Sequence, residues 1–523
     1  MLVLSVLFVL LISVATMQNP GQPQKKIVEL KNAGSLNKRE NFDAQIFLDS
    51  VVFYHEGAYM YCDSAYLFDE TNSFEAFSNV MMEQGDTIFV YGDYLYYDGN
   101  TRLARLRDNV RMEDQQATLF TDSLNYDRAA NLGYYFEGGM LVDDQNELTS
   151  FWGQYSPDTK DALFSNSVKL VNEDFTIYSD TLKYNTETKV ADILGPSTIV
   201  SDSGFIVTEH GWYNTETEDA RLYNRSEIYS SDTTKVLIGD TIFYNRLNGI
   251  GDVYGNMYME DFEQKTILRG GYGTYHEKTE YGMATDSAYV IDYSQADSLF
   301  LHGDTLQMFT DSIYKNIKAF YNVRFFRNDM QGVCDSMNYV QRDSILYMLG
   351  SPVIWNEGNQ VLGEQIDVYL NDSTIEKAHI YDYALAIQDR EQDLQYNQIS
   401  GRDMKIFFDE GELRHLVVEG NAESLYYIVE NDSTGAILGL NKTESAYLTM
   451  DFKDDELEKL KLWPSVQAVT TPLSLLQSGE STLKGFMWLD YLRPKHNMDI
   501  FRRNKRSETD AEVKAPRRFK RED

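Results

Sequence analysis

Between Ile46 and Phe452 apolar and polar side chains alternate in short runs separated by turn residues. The stretch Gly92–Asp98 (GDYLYYD) shows the unit: an acidic residue, apolar side chains two and four places after it, then a turn. The same spacing recurs from Asp63, Asp93, Asp122, Phe151, Asp180, Glu209, Asp240, Gly271, Asp304, Asp335 and Glu364, with successive positions 29 to 33 residues apart. Two further copies begin at Arg402 and Glu444, after intervals lengthened by the polar inserts Gln388–Gln398 and Glu430–Thr434. A fixed period of this length marks a repeat architecture. Alternation of period two inside each copy makes the elements strands and rules out helical solenoids.

The apolar stripe can be written residue by residue. Two places after the marker stand Leu95, Leu124, Leu182, Ile242, Leu306 and Met337; four places after it stand Tyr97, Tyr126, Tyr155, Tyr184, Tyr213, Tyr244, Tyr275, Met308 and Tyr339. Turns such as Asp98-Gly99-Asn100-Thr101 follow, in residues that tolerate turn dihedrals. Return strands then contribute Val110, Met112, Val168, Leu170, Met257, Met259, Val323 and Phe325. An Asn often precedes the return strand (Asn79, Asn109, Asn256, Asn322) and marks a bend between two sheet layers. The pattern predicts an all-β solenoid of about 13 stacked two-strand repeats over residues 46–452.

The marker acids are expected to open strands and face solvent beside turns, a structural role ahead of calcium binding or catalysis. Gly153, Gly211 and Gly273 occupy the second place, where a core wants bulk, and leave room for something else, such as acyl chains. On these residues alone a packed core and a lipid-lined groove stay equally open.

Composition narrows the function. The chain is 42% hydrophobic and 13% aromatic with 9 Pro, as suits long strands, and its formal charge of −35 argues against nucleic acid and anionic membrane faces. Leu2–Val14 is an apolar run that reads as a signal-peptide core with a small-x-small site at Ser13-Val14-Ala15, as a retained N-terminal anchor, or as a buried strand. Residues 1–17 are therefore leader or anchor, 18–45 a polar linker, 453–500 a C-terminal cap and 501–523 a basic disordered tail. Cys62 and Cys334 sit nine copies apart, which at one strand spacing per copy separates them by ~43 Å or more; two free thiols are expected. Seven His lack metal-ligand spacing, and no HExxH, GxSxG, P-loop or calcium nonapeptide occurs. No cofactor or metal is expected, and no enzyme activity.

The GD-x-apolar-x-Tyr strands (Gly92–Tyr97, Gly239–Tyr244), the Asn-Val returns (Asn79-Val80, Asn109-Val110) and Val418–Tyr427 (VEGNAESLYY) resemble the OstA/LptA-like lipopolysaccharide-export family. The resemblance implies an elongated twisted β-jellyroll with a V-shaped trough, periplasmic location, and transport of lipopolysaccharide by shielding lipid A acyl chains. It also implies edge-strand pairing with other lipopolysaccharide-transport proteins, or with a second copy, in a bridge toward the outer membrane. The stripe residues above are then the lipid contacts. A scaffold with a packed core is the alternative, and a polysaccharide-acting β-helix enzyme a third.

Overall fold

The computed structural model describes residues 26–503, except 40–41, 246, 312–313, 372–373, 391–394, 410–411, 430–436, 454–455 and 478. The leader and the basic stretch 504–523 lie outside the described residues, as do residues 391–394 of the first polar insert and all of the second. Two compact units are present: Met1–Glu173 with Ile177–Val190, and Asp174–Thr176 with Ala191–Asp523. Among the described residues helical structure is confined to short 3-10 turns of three to five residues, and none is long and apolar enough to cross a membrane. The expected all-β repeat is observed.

Unit 1 is a stack of antiparallel strands of about eleven residues. The run Gln45–His55, Ala58–Phe68, Ser73–Gln84, Ile88–Asp98, Leu103–Glu113 and Thr118–Asp127 pairs each strand with the next. Every one of these ladders slips at the same level, between Phe77 and Val80 or Arg107 and Val110, for example. The slip is a two-residue bulge with both residues left-handed: Ser78 (φ 63°) and Asn79 (φ 49°), Asp108 (59°) and Asn109 (52°). Asn tolerates this region better than most residues. The bulges line up and fold each strand into an upper and a lower half, so one sheet becomes two layers joined at a corner.

The markers belong to that corner. Asp93 lies in the middle of Ile88–Asp98 and not at a strand start, and its exposed carboxylate accepts the side-chain amide of Asn109 at 2.6 Å. Asn79 donates to Asp63 at 2.7 Å in the same way. The expected boundary was wrong because the backbone stays extended through the corner; only the partner strand bulges.

Unit 2 repeats this construction. Ala220–Ser230, Lys235–Asn245, Ile250–Asp261 and Thr266–His276 pair in turn, and Asn256 and Asn322 donate from left-handed bulges to Asp240 and Asp304, each at 2.6 Å. Gly420 and Asn421 (φ 78° and 52°) form the same corner within Glu412–Val429.

Strand pairing runs past both expected bounds. Glu29–Asn32 and Ser35–Asn37, inside the expected linker, pair with Gln45–His55. Glu456–Trp463 and Gln467–Pro472, inside the expected cap, pair with Ile437–Lys453. These outermost strands are exposed and bury no inward row, so alternation gives no sign of them.

Residues 481–503 then turn back along unit 2 as a belt. The Gln398 amide donates to Ser481 O (2.9 Å) and accepts Leu483 N (2.8 Å); the Gln360 amide donates to Met487 O (2.7 Å) and accepts Leu489 N (2.8 Å). Arg493 reaches Gln331 at 2.6 Å, and the Phe501 ring packs on His302 and Tyr289. Gln331, Trp355, Gln360, Ile387, Gln398 and Leu425 are successive cross-strand neighbours on the face turned away from the lower layer. The belt explains why that outer face carries buried Trp355, Leu385, Ile387, Leu425 and Tyr427. A segment expected to close the end of the stack instead covers its side.

Both cysteines are free, as expected, and both are buried. Burial pushes each thiol up to about 12, which leaves them unreactive.

Candidate functional site

The stripe read from the sequence faces inward, between the two layers of each unit. In unit 1 it is shut. Leu95, Tyr97, Leu124, Tyr126, Leu170, Leu182 and Tyr184 are 0% exposed, and Val110, Met112, Tyr155 and Val168 are at 1–2%.

The glycines do not leave space. A Cβ on Gly153 would stand 2.5–2.7 Å from the Tyr135 ring and hydroxyl, which lie across it. On Gly273 it would meet Met257 Sδ at 2.1 Å, and on Gly211 the Arg221 carbonyl at 2.4 Å. The expected room is occupied by the chain itself: the Tyr135 side chain at Gly153, the Met257 side chain at Gly273 and the adjacent backbone at Gly211.

The tyrosine hydroxyls explain why Tyr recurs at the fourth place. That place lies next to the lower turns, at the mouth of the trough, where a ring can pack inward and its tip can reach the opposite rim. Tyr155 Oη donates to Asp114 at 2.6 Å, and Lys160 Nζ reaches the same oxygen at 2.9 Å. Tyr184 Oη donates to Asp143 at 2.6 Å, and Lys189 Nζ joins it at 3.0 Å. Tyr97 Oη meets His55 Nδ1 (2.8 Å) and Arg128 Nη1 (2.7 Å); Arg128 also donates to Gln84 and to the carbonyls of His55 and Glu56. Arg102 pairs with Glu56 at 3.2 Å.

Glu56, Gln84, Asp114 and Asp143 lie on or beside the upper turns; Arg102, Arg128, Lys160 and Lys189 lie on the lower ones. The partners are 44 to 46 residues apart in every case, one latch per repeat. Burial pushes the Asp114 carboxyl up, but Tyr155, the Gln116 and Ala117 amides and Lys160 outweigh it and hold it below its ordinary value. Burial drives the Tyr155 and Tyr126 phenols far up, and that of Tyr135 to about 12, so all stay neutral donors. Sequence reasoning missed these latches. Their signal is a spacing of one and a half repeats between an acid or amide and a cation, which a search within single repeats does not see.

Unit 2 differs at the same repeat positions. Near the corner Ile242, Met257, Leu306, Val323 and Met337 are buried like their counterparts, as are Phe325 and Tyr213. Toward the mouth Tyr244, Met259, Tyr275, Met308 and Tyr339 are only half-buried. They continue through cross-strand neighbours: Leu237–Met259–Leu268–Val290–Leu301 on the upper layer, all half-buried, and Tyr244–Gly251–Tyr275–Gly282–Met308 on the lower. From Lys235 to His302 the inward residues of both layers are thus apolar and less completely buried than in unit 1. Among the described residues no three His, Cys, Asp or Glu side chains gather as a metal site.

Residues 24–180 match the family of OstA-like proteins. Among solved structures the chain is similar to LptH, described as the LptA homologous periplasmic component of the conserved lipopolysaccharide transport device from Pseudomonas aeruginosa. The identity is 13% and the TM-score 0.21, over 28% of this chain and 99% of that one. No curated protein matches the chain.

Proposed function

We propose, on the premise that residues 24–180 form an OstA-like domain, that this chain is a non-enzymatic lipopolysaccharide transport protein of the periplasm. Lipid A acyl chains lie in the apolar trough, and the chain bridges toward the outer membrane. The inward stripe carries this reading: in each unit apolar rows lie between two layers, and over part of unit 2 their residues are only half-buried. An acyl chain placed there would complete their burial, at about 0.8 kcal/mol for each CH₂ buried. The exposed terminal strands at Glu29–Asn37 and Glu456–Pro472 offer backbone edges for pairing with other transport proteins or a second copy. Periplasmic residence is part of the same proposal and rests on the family premise.

The shut interior of unit 1 favours a second reading, a scaffold with a dry core. Photo-crosslinking separates the two. Benzoylphenylalanine at Tyr244 or Tyr275 is expected to capture lipopolysaccharide, and the same group at outward Asn125 or Lys183 is not. Equal labelling of both faces would overturn the transport reading.

A further inference from the structure

The outer face of the upper layer in unit 2 extends beyond the belt that covers it. One row of cross-strand neighbours crosses this face without a break, from Val200 to Leu425. Under the belt the row is sealed: Trp355, Gln360, Ile387, Gln398 and Leu425 are at most 2% exposed. Past the belt it stays largely apolar but meets water. Phe205, Tyr229, Ile267, Ile291 and Phe300 are half-buried, Val200 is 42% exposed, and Val207 in the adjoining row is 39% exposed. A continuous apolar surface of this kind marks an interaction site.

The belt points along it. From Ser481 on Gln398 to Phe501 on Tyr289 it crosses seven strand pairings in twenty residues. That is about 34 Å at one strand spacing each, or roughly 1.7 Å per residue. Its last described contacts are Phe501 on His302 and Tyr289 and Arg503 on Asp304 at 3.1 Å, at the border of the more exposed stretch. Six further pairings, about 29 Å, lead from Tyr289 to Val200. At the same pace about 17 residues cover that distance, which brings Phe519 to Val200, Phe205 and Val207.

The polar groups change along the same line. The covered stretch meets the belt backbone with the amides of Gln360 and Gln398. The exposed stretch carries Glu227 and Glu260 on its two rows and Glu209, Asp240 and Asp286 along the corner, with Arg225 and Arg269 among them. Lys514–Arg521 (KAPRRFKR) complements this, with five Lys and Arg, no acid, and Phe519.

We propose that residues 504–521 continue the belt across the rest of this face, in the same chain. Phe519 packs on Val200, Phe205 and Val207, and Arg517, Arg518, Lys520 and Arg521 lie against Glu209, Glu227 and Asp240. Exposed ion pairs are weak one by one, so the contact draws on several of them together with burial of the ring. The anchored Phe501 holds the segment beside its site, which removes most of the cost of association. Nothing in this depends on what the trough carries.

Benzoylphenylalanine in place of Phe519 in the full chain, illuminated in dilute solution and mapped by mass spectrometry, tests the contact. Adducts within Ser197–Ser201 and Gly204–Thr208 of the same chain are expected to dominate. They should exceed those at Trp212 and Phe243, on the outward side of the lower layer, by about tenfold. With Arg517→Glu, Arg518→Glu, Lys520→Glu and Arg521→Glu in the same chain they are expected to fall about threefold or more, as the loss of several exposed ion pairs requires. A similar fall is expected without these changes at 1 M salt, where the Debye length is about 3 Å. Equal labelling of the two layers, or no adduct at all, overturns the proposal. Adducts formed only between chains assign the face to a second copy and overturn it too. Upper-layer adducts undiminished by charge reversal overturn the pairing with the carboxylates. The two layers are compared within one protein, so that result stands even if the reversed chain fails to fold.

Discussion

Replacement of Asp143 by Asn isolates one latch. The carboxylate divides its work between its oxygens. Oδ1 accepts the amides of Gln145 (2.9 Å) and Asn146 (2.8 Å) and so holds the turn; Oδ2 accepts Tyr184 Oη (2.6 Å) and Lys189 Nζ (3.0 Å) and so closes the mouth. Asn keeps the first set and presents an NH₂ group to two donors in place of the second. Two charge-assisted hydrogen bonds disappear; because Lys189 also pairs with Asp144, the net loss is about 2–4 kcal/mol. Repeat stacks open locally, so the effect is read by native-state hydrogen exchange and not by a global melt. Protection in Gly139–Val142 and Ile177–Asn185 is expected to fall by roughly 30- to 1000-fold, at 1.4 kcal/mol per tenfold, while Ile88–Asp98 is unchanged. A fall of less than about threefold would refute the view that the mouth contacts hold the layers together.

Gly153→Ala is expected to cost about 1–3 kcal/mol because its Cβ enters the Tyr135 ring; Tyr135→Leu in the same chain should recover part of the loss, as measured by urea unfolding. Gln360→Leu leaves Met487 O, Leu489 N and Trp355 Nε1 without their common partner, so the belt should become a site of limited proteolysis within 481–503 at concentrations that spare the wild type. Acid should loosen unit 1 in two stages. Burial holds the His55 imidazole below its ordinary value of 6.5, among Glu56, Arg102 and Arg128. The unfolded chain therefore takes up a proton that the fold resists, and stability declines as pH falls through 6.5. Asp114 is held below 3.8, so its contribution is complete above that value and is lost as pH falls beneath it. His55→Gln should abolish the upper stage of the unit 1 exchange profile; its persistence would show that another group is responsible.

Which face each residue takes was legible because the corner bulge adds two residues, an even number. Leu106 and Val110 thus stay on one side although the backbone turns between them. The same evenness hid the corner itself, and Asp93 read as a strand start although it stands mid-strand. The latches were not legible because they join residues one and a half repeats apart. The belt left a trace: Ala384-Leu385-Ala386-Ile387 is apolar on both faces, which an uncovered layer would not be. How completely the interior is filled could not be read from alternation, since Met112 and Met259 look alike in sequence although the first is buried and the second half-buried.

The belt also sets an order of assembly. Gln398, Gln360 and Arg324 are translated 83 to 168 residues before the segment they hold. At 5–20 residues per second that is a delay of roughly 4 to 34 s, against microseconds for a hairpin to form. Each of Trp355, Leu385, Ile387 and Leu425 stands uncovered from its own synthesis until the belt emerges. Unit 2 is therefore expected to need a holding chaperone until its last residues emerge, and unit 1, whose rims close from within, is not.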